Sequence, residues 1–449
     1  MASIRRKPIP AATLIGHSPF MIERDKMPEA DAPALRRDIG FTGSAFLSFN
    51  GIVGAGIFAL PGPLHETFGG FAPWLFPLFG LLVLLIALPF ARLAATHERT
   101  GGPAEYVAPF GPLAAFQTGW LYYVARLTAL AANANVFATY AGSLWAPLGT
   151  SIGRAATIVT LVALLTWVNV VGVRRAVRAL DLLTLLKAVP LVGLALWGLS
   201  RAAWDLPPPG PVPPLSALDA SALILLYAFV GFENASVPAE ETADPKRTIP
   251  RAILFTVIAT AALYMLVQLG YAAVMPAGAA PTAPLADYAR VLLGPWGAIL
   301  LAVTAMASVA GNVGGSMTST PRVTYALSRQ GALPGWFGQI AAGYATPANS
   351  ILFMGALGAV LAISGSFVWL AVVSTLSRLF VYGACMIALP RARPGALSLL
   401  LMAGGLAVCI WAAAQSKWES WAMLGGFVLA GFLLYGLARN QRGGTSEQD

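Results

Sequence analysis

The chain has 449 residues, 57% of them hydrophobic and 10% charged, with a mean hydropathy of +0.71. That balance excludes an ordinary soluble domain, in which roughly a quarter of residues are charged. The formal charge of +9 is judged by where it falls rather than as a sign of nucleic-acid binding, and two cysteines in apolar segments with three scattered histidines suggest neither a disulfide framework nor a metal site.

Residues 1–38 are polar and mixed in charge, with no short apolar core before a small-residue cleavage site. They read as a cytoplasmic tail rather than a signal peptide. Apolar stretches then recur from about Thr42 to Leu437, each near the ~20 residues a helix needs to cross ~30 Å of hydrocarbon. The first, 42–66, contains FNGIVGAGIFAL, with Gly51, Gly54 and Gly56 where a membrane helix should be most regular. Glycine in a helix interior costs about 1 kcal/mol relative to alanine, so something should offset it. An interruption there would leave the amides of Ala55, Gly56 and Ile57 at the positive end of a half-helix, suited to a carboxylate. Carbonyls around Ile52 would end the preceding half. The alternative is that the glycines only allow close helix packing.

Spans at 72–96, 112–143, 154–172 and 179–200 follow. Within the third helix, Tyr122, Arg126, Ala129, Asn133, Phe137 and Tyr140 fall on one face, which the cost of a charge in lipid keeps away from the bilayer. In the fifth helix Lys187 stands about eight residues in, ~12 Å from the inner end at the usual helical rise, and could reach the interface with its long stem. The loop WDLPPPGPVPPLSALD cannot be helical throughout.

A sixth span, 217–240, opens a second group and is interrupted near Val230-Gly231-Phe232-Glu233. Its carbonyls of Tyr227, Ala228 and Val230, joined to that of Ile52, would suit an ammonium group, so the two broken helices together could receive an α-amino acid. Glu233 is the expected partner of Arg126; that pair either locks two helices together or leaves Arg126 to read a substrate side chain. Glu240, Glu241, Asp244, Lys246 and Arg247 form either an inner ion-pair gate or a solvated face. Spans at 250–274 and 295–327 come next, the latter with Thr304, Ser308, Asn312, Ser316 and Thr320 every four residues, a stripe suited to lining a cavity. Those at 347–363, 367–389, 396–414 and 420–437 complete twelve, and Arg378 in the tenth reads as a tertiary tie without a transport role.

With the N-terminus inside, 21 Lys and Arg fall on the cytoplasmic side and 4 on the other, which places both termini in the cytoplasm. Two groups of five spans must enter the membrane from opposite sides, as inverted repeats do. The expected fold is therefore an all-α membrane protein of twelve helices, a five-plus-five inverted repeat with discontinuous first and sixth helices and two appended. Its parts are a tail at 1–38, repeats at 39–200 and 217–390 joined by a Pro-rich extracellular loop at 201–216, helices eleven and twelve within 391–437, and a cytoplasmic tail at 438–449.

NGIVGAGIFALPG, YAFVGFENASVPAEETADPKRTIPRAI and ALSRQGALPGWF, in that order and over nearly all of 40–440, resemble the amino acid–polyamine–organocation transporter family. The second motif is the most diagnostic. The resemblance implies the twelve-helix fold just described, amino acid or polyamine substrates, and proton coupling or exchange without a bound nucleotide. It implies Ala55 and Gly56 for the substrate carboxylate, the carbonyls of Ile52, Tyr227 and Val230 for the amine, Tyr227 as an outer aromatic gate, and Ser316 near the substrate. It also implies that the Lys187 ammonium bridges the fifth helix to the broken first one, where related folds hold sodium. Burial disfavours the charged form of a lysine, so this group could couple transport to protons. Cation-selective relatives leave a pocket acid free; an Arg126–Glu233 pair would neutralise it and favour small or neutral amino acids. The expectation is thus a plasma-membrane secondary transporter, proton-coupled, monomer or homodimer, with no cofactor, no metal and no nucleic-acid partner. Exchange of amino acids or polyamines, or sensing without transport, are the alternatives. No triad or metal set suggests an enzyme, and no P-loop is present.

Overall fold

The computed structural model describes residues 37–97, 101–172, 175–205, 208–276, 282–341 and 343–443. The expected N-terminal tail, apart from Arg37 and Asp38, and the last six residues lie outside them. Among the described residues the regular structure is helical: α1 Phe41–Ile52, α2 Ala55–Ala59, α3 Pro61–Phe68, α4 Ala72–Ala94, α5 Pro103–Val107, α6 Pro112–Leu144, α7 Ser151–Val171, α8 Arg175–Arg201, α9 Leu215–Tyr227, α10 Pro245–Val274, α11 Pro284–Ser319, α12 Pro321–Arg329, α13 Ala348–Ser364, α14 Phe367–Ala392, α15 Ala396–Ala414 and α16 Trp418–Gly443. Among the described residues, eight helical segments are long and apolar enough to cross a membrane. Arg126 and Asn133 on one face of α6 and Asn135 on the opposite one lower the hydropathy of this helix of 33 residues, which is not among them, and α13, at 17 residues, is shorter.

Local chemistry sets several ends. The Thr150 hydroxyl accepts the Gly153 N–H at 3.1 Å to start α7, which stops at Gly172 in a left-handed conformation (φ 74°). Ser366 does the same for α14, from Trp369 N at 3.3 Å. Two starts differ from expectation. α10 begins at Pro245, because a proline at the first helical position gives up only an N–H that has no intrahelical acceptor, and it runs on through Pro250. α11 begins at Pro284 and runs across a kink at Gly294 (φ 71°), where a Gly-Pro pair reads in sequence as a boundary.

α6 is the central element. It is buried along most of its length and packs against α7, α11, α13 and α14, while α10 packs against α1, α4 and α8. Large apolar side chains such as Trp296, Leu400 and Leu433 stand exposed on the outer helices, the surface that hydrocarbon would cover.

The first expected helix is interrupted. After α1, Val53 (φ −77°, ψ 82°) and Gly54 (φ −123°, ψ −134°) leave helical geometry before α2 starts at Ala55. The second interruption begins after Tyr227. There the chain turns through Ala228–Val230, passes Gly231 at φ 118°, and continues as short 3₁₀ turns, Phe232–Ser236 and Ala239–Glu241, rather than the regular second half expected to 240. The two interruptions touch. A Cβ on Gly51 would overlap the Asn234 amide and stand 2.7 Å from Gly231 O, and one on Gly231 would overlap the carbonyl of Gly51. The Ser48 hydroxyl fastens the crossing by donating to Phe232 O at 2.8 Å.

Candidate functional site

Each break exposes backbone groups that lipid cannot satisfy. In the first, Asn133 Oδ1 on α6 accepts the Ala55 N–H at 3.1 Å. The amides of Gly56 and Ile57 follow in the first turn of α2, where no intrahelical acceptor reaches them. At the other end, Asn312 Nδ2 donates to Asn50 O at 2.9 Å and Gly51 O at 3.4 Å, while Ile52 O accepts from Gly54 N and from the Tyr264 hydroxyl. Two asparagines therefore meet the ends of the first break, an oxygen on the amide side and an NH2 on the carbonyl side. Lys187 sits behind, 2% exposed, donating to Asn50 Oδ1 at 2.6 Å and to Val53 O at 2.7 Å. It does not extend to an interface.

The second break supplies Tyr227, whose ring packs edge-on to Phe367 at 5.8 Å and whose hydroxyl accepts from Asn133 Nδ2 at 3.5 Å. Glu233, fully buried, does not pair with Arg126. Its carboxylate takes Arg378 Nε at 3.1 Å, the Tyr382 hydroxyl at 2.8 Å and the Gly231 N–H at 2.9 Å. The 3₁₀ turn after Gly231 carries the side chain toward α14, so Arg378, expected only as a tertiary tie, provides the counter-charge. Arg126 bonds instead to three neutral acceptors: Asn234 Oδ1 at 2.8 Å, Ser319 Oγ at 3.2 Å and Thr320 Oγ1 at 3.3 Å.

A cavity of about 20 Å³ touches Ile52, Ala55 and Gly56 of the first break, Tyr227 and Val230 of the second, and Ser316 on α11. Ile57 and Ala228 are buried beside it: Ala228 backs Gly56, where a Cβ would come 3.2 Å from Ala228 Cα. Gly54, Ala129, Asn133, Asn312, Arg126 and Arg378 complete the contact. A second cavity of about 360 Å³ continues from the first on the side where α1 begins. The two share Gly51, Arg126, Asn312 and Ser316. Of the polar stripe, Thr304 is half-buried and lines neither, Ser308 is buried with an unpartnered hydroxyl, and Thr320 holds Arg126. At the inner cluster Asp244 and Arg247 pair at 3.8 Å with both side chains largely exposed, so that pair is a solvated contact worth little.

The model of a family described as amino acid permeases matches residues 39–393. The chain belongs to the amino acid permease family. It is thus an integral, multi-pass membrane protein of a family of transporters rather than of enzymes, and it is similar to named transporters of mammals and bacteria. The permease is 28% identical over 356 residues to the large neutral amino acids transporter small subunit 2 of Mus musculus, covering 73% of this chain and 66% of that protein. The human protein of that name gives 28%, with 74% and 66% covered. The cadaverine/lysine antiporter of Escherichia coli K12 is 28% identical over 299 residues, covering 64% of this chain and 66% of that one. The permease therefore spans just under two thirds of the length of these relatives.

Proposed function

We propose that this permease is a secondary active transporter of amino acids, working by alternating access in the plasma membrane with both termini in the cytoplasm. The observation that carries the reading is the first break. Ala55 and Gly56, the first residues of α2, line a cavity that also touches Tyr227 and Val230 of the second break, an arrangement matched to the carboxylate and ammonium of one zwitterion.

The twelve-span, five-plus-five inverted repeat is supported by packing. Numbering the spans one to twelve, with α1–α3 as the first, α9 and its 3₁₀ turns as the sixth, and α11 as the eighth, pairs recur when each member is exchanged for its equivalent in the other group of five, one for six through five for ten. The third packs on the tenth and the eighth on the fifth, the fifth on the seventh and the tenth on the second, the third on the ninth and the eighth on the fourth. Two equivalent halves would produce this. The larger cavity would be the route to the cytoplasm.

Lys187, bonded to both Asn50 and Val53 at the break, is the group we assign to proton coupling. Its two acceptors belong to the segment that must shift when the first break changes shape, so the charge on its ammonium would be felt there. Cationic side chains are disfavoured, because Glu233 already satisfies Arg378, Tyr382 and Gly231. Uptake of labelled amino acids into proteoliposomes carrying the purified full chain tests the proposal. Saturable uptake is expected, inhibited at least tenfold less by an amino acid α-amide than by the parent acid. Binding without accumulation would instead make the protein a sensor, and equal inhibition by acid and amide would remove the backbone site.

A further inference from the structure

The charges around the site do not cancel. The smaller cavity is lined by two arginines, Arg126 and Arg378, and by no carboxylate. Glu233 answers Arg378 at 3.1 Å. Nothing of opposite sign answers Arg126 among the described residues, and it is only 7% exposed. Its acceptors, Asn234, Ser319 and Thr320, are all neutral and orient the guanidinium without compensating its charge. Burying an ion without a counter-ion is costly, and here the cost falls on a residue that borders both cavities.

The geometry is also specific. Three of the five guanidinium N–H groups are used, one each on Nε and the two terminal nitrogens. One N–H remains on each terminal nitrogen for a carboxylate. Asn133, which touches the Ala55 amide, lies seven residues along α6 from Arg126, about 10 Å at the helical rise. A dicarboxylic amino acid the size of glutamate separates its two carboxyl carbons by about 5 Å when extended. Arg126 lines the same smaller cavity as Ala55 and Gly56, so one ligand can border both.

Resting on the transporter reading above, we propose that the substrate class is the α-amino acid with a carboxylate on its side chain, of aspartate to glutamate length. Its α-carboxylate sits at the α2 amides and its side-chain carboxylate on Arg126. Ser319, Thr320 and Asn234 are positioning residues that hold the guanidinium. Glutamine has the same shape as glutamate but no charge to answer the arginine, so the site discriminates between the two.

The test compares glutamate, aspartate, glutamine, leucine and lysine as competitors of uptake, and as stabilisers in thermal unfolding, with the full-length protein in liposomes or detergent. Glutamate or aspartate should outcompete glutamine at least tenfold. Arg126→Gln should cost glutamate at least tenfold relative to glutamine, and Arg126→Lys, which keeps the charge without the guanidinium, should fall between. Uptake that favours glutamine or leucine over glutamate in the unaltered protein would overturn the substrate class while leaving the transporter reading intact. Failure of all five to bind or enter would overturn both. If Arg126→Gln does not fold, the ranking of the five competitors on the unaltered protein decides alone.

Discussion

Removing either member of the Glu233–Arg378 pair should harm the protein more than removing both. Glu233 is fully buried and accepts three bonds, from Arg378, Tyr382 and Gly231. Glu233→Gln would leave the Arg378 guanidinium among neutral acceptors alone, the glutamine oxygen, the Ala125 carbonyl and the Ser374 hydroxyl. Arg378→Met would leave a carboxylate held by Tyr382 and one amide. Each is a buried charge stripped of its partner, for which about 3–5 kcal/mol is typical, whereas replacing both members is often close to neutral. The expected coupling in the double-mutant cycle is therefore about 3 kcal/mol or more. Unfolding of purified variants in detergent by heat or denaturant reads it: both single variants should be less stable than the double. Arg126→Gln combined with Glu233→Gln should show no such rescue, because those side chains do not bond. Additive losses for Glu233 and Arg378, or rescue of Glu233→Gln by Arg126→Gln, would refute the pairing.

Three further outcomes follow from the site. Gly56→Leu should abolish amino acid binding with insertion intact, whereas Gly51→Ala should already impair folding, since its Cβ would overlap Asn234; ligand thermal shifts and monodispersity in detergent separate the two. Asn133→Ala takes away the acceptor of the Ala55 amide, an unmet buried donor worth about 1–3 kcal/mol. The ligand-free variant should melt earlier than the unaltered protein, and saturating substrate should stabilise it more; an equal ligand-induced shift in both would show that the amide is not part of the carboxylate site. Lys187→Ala should lose uptake driven by a pH gradient while retaining exchange at equal pH, and unchanged pH-driven accumulation would mean that the lysine only braces α1.

Much of this architecture is legible in sequence because hydrocarbon imposes it. Apolar stretches of fixed length mark most helices within a few residues, the starts of α10 and α11 apart, and glycines clustered where a regular helix should run mark the first break. The family motifs cover both breaks. The partner of Glu233 is not legible. Arg126 is the arginine on a polar face, and helical periodicity makes it the natural choice. The chain leaves α geometry just before Glu233, however, so no helical count says which way the carboxylate faces, and Arg378 receives it from a helix almost 150 positions on in sequence. The asparagines illustrate a related limit. Asn133 and Asn312 stand out as polar residues on apolar helices, yet which broken end each meets depends on how α6 and α11 are placed around α1.

The contact between Gly51 and Gly231 limits how this permease can be engineered. Main chain rests on main chain there, with no side chain between to change rotamer and absorb a shift. A displacement in one interrupted helix is passed to the other nearly undamped, and neither position can accept even a methyl group unless the other backbone moves away. Libraries that aim to retune what the protein carries would spend diversity at those two positions on misfolded chains. The productive positions are those whose side chains line the cavities without holding the crossing, Ser316 first among them.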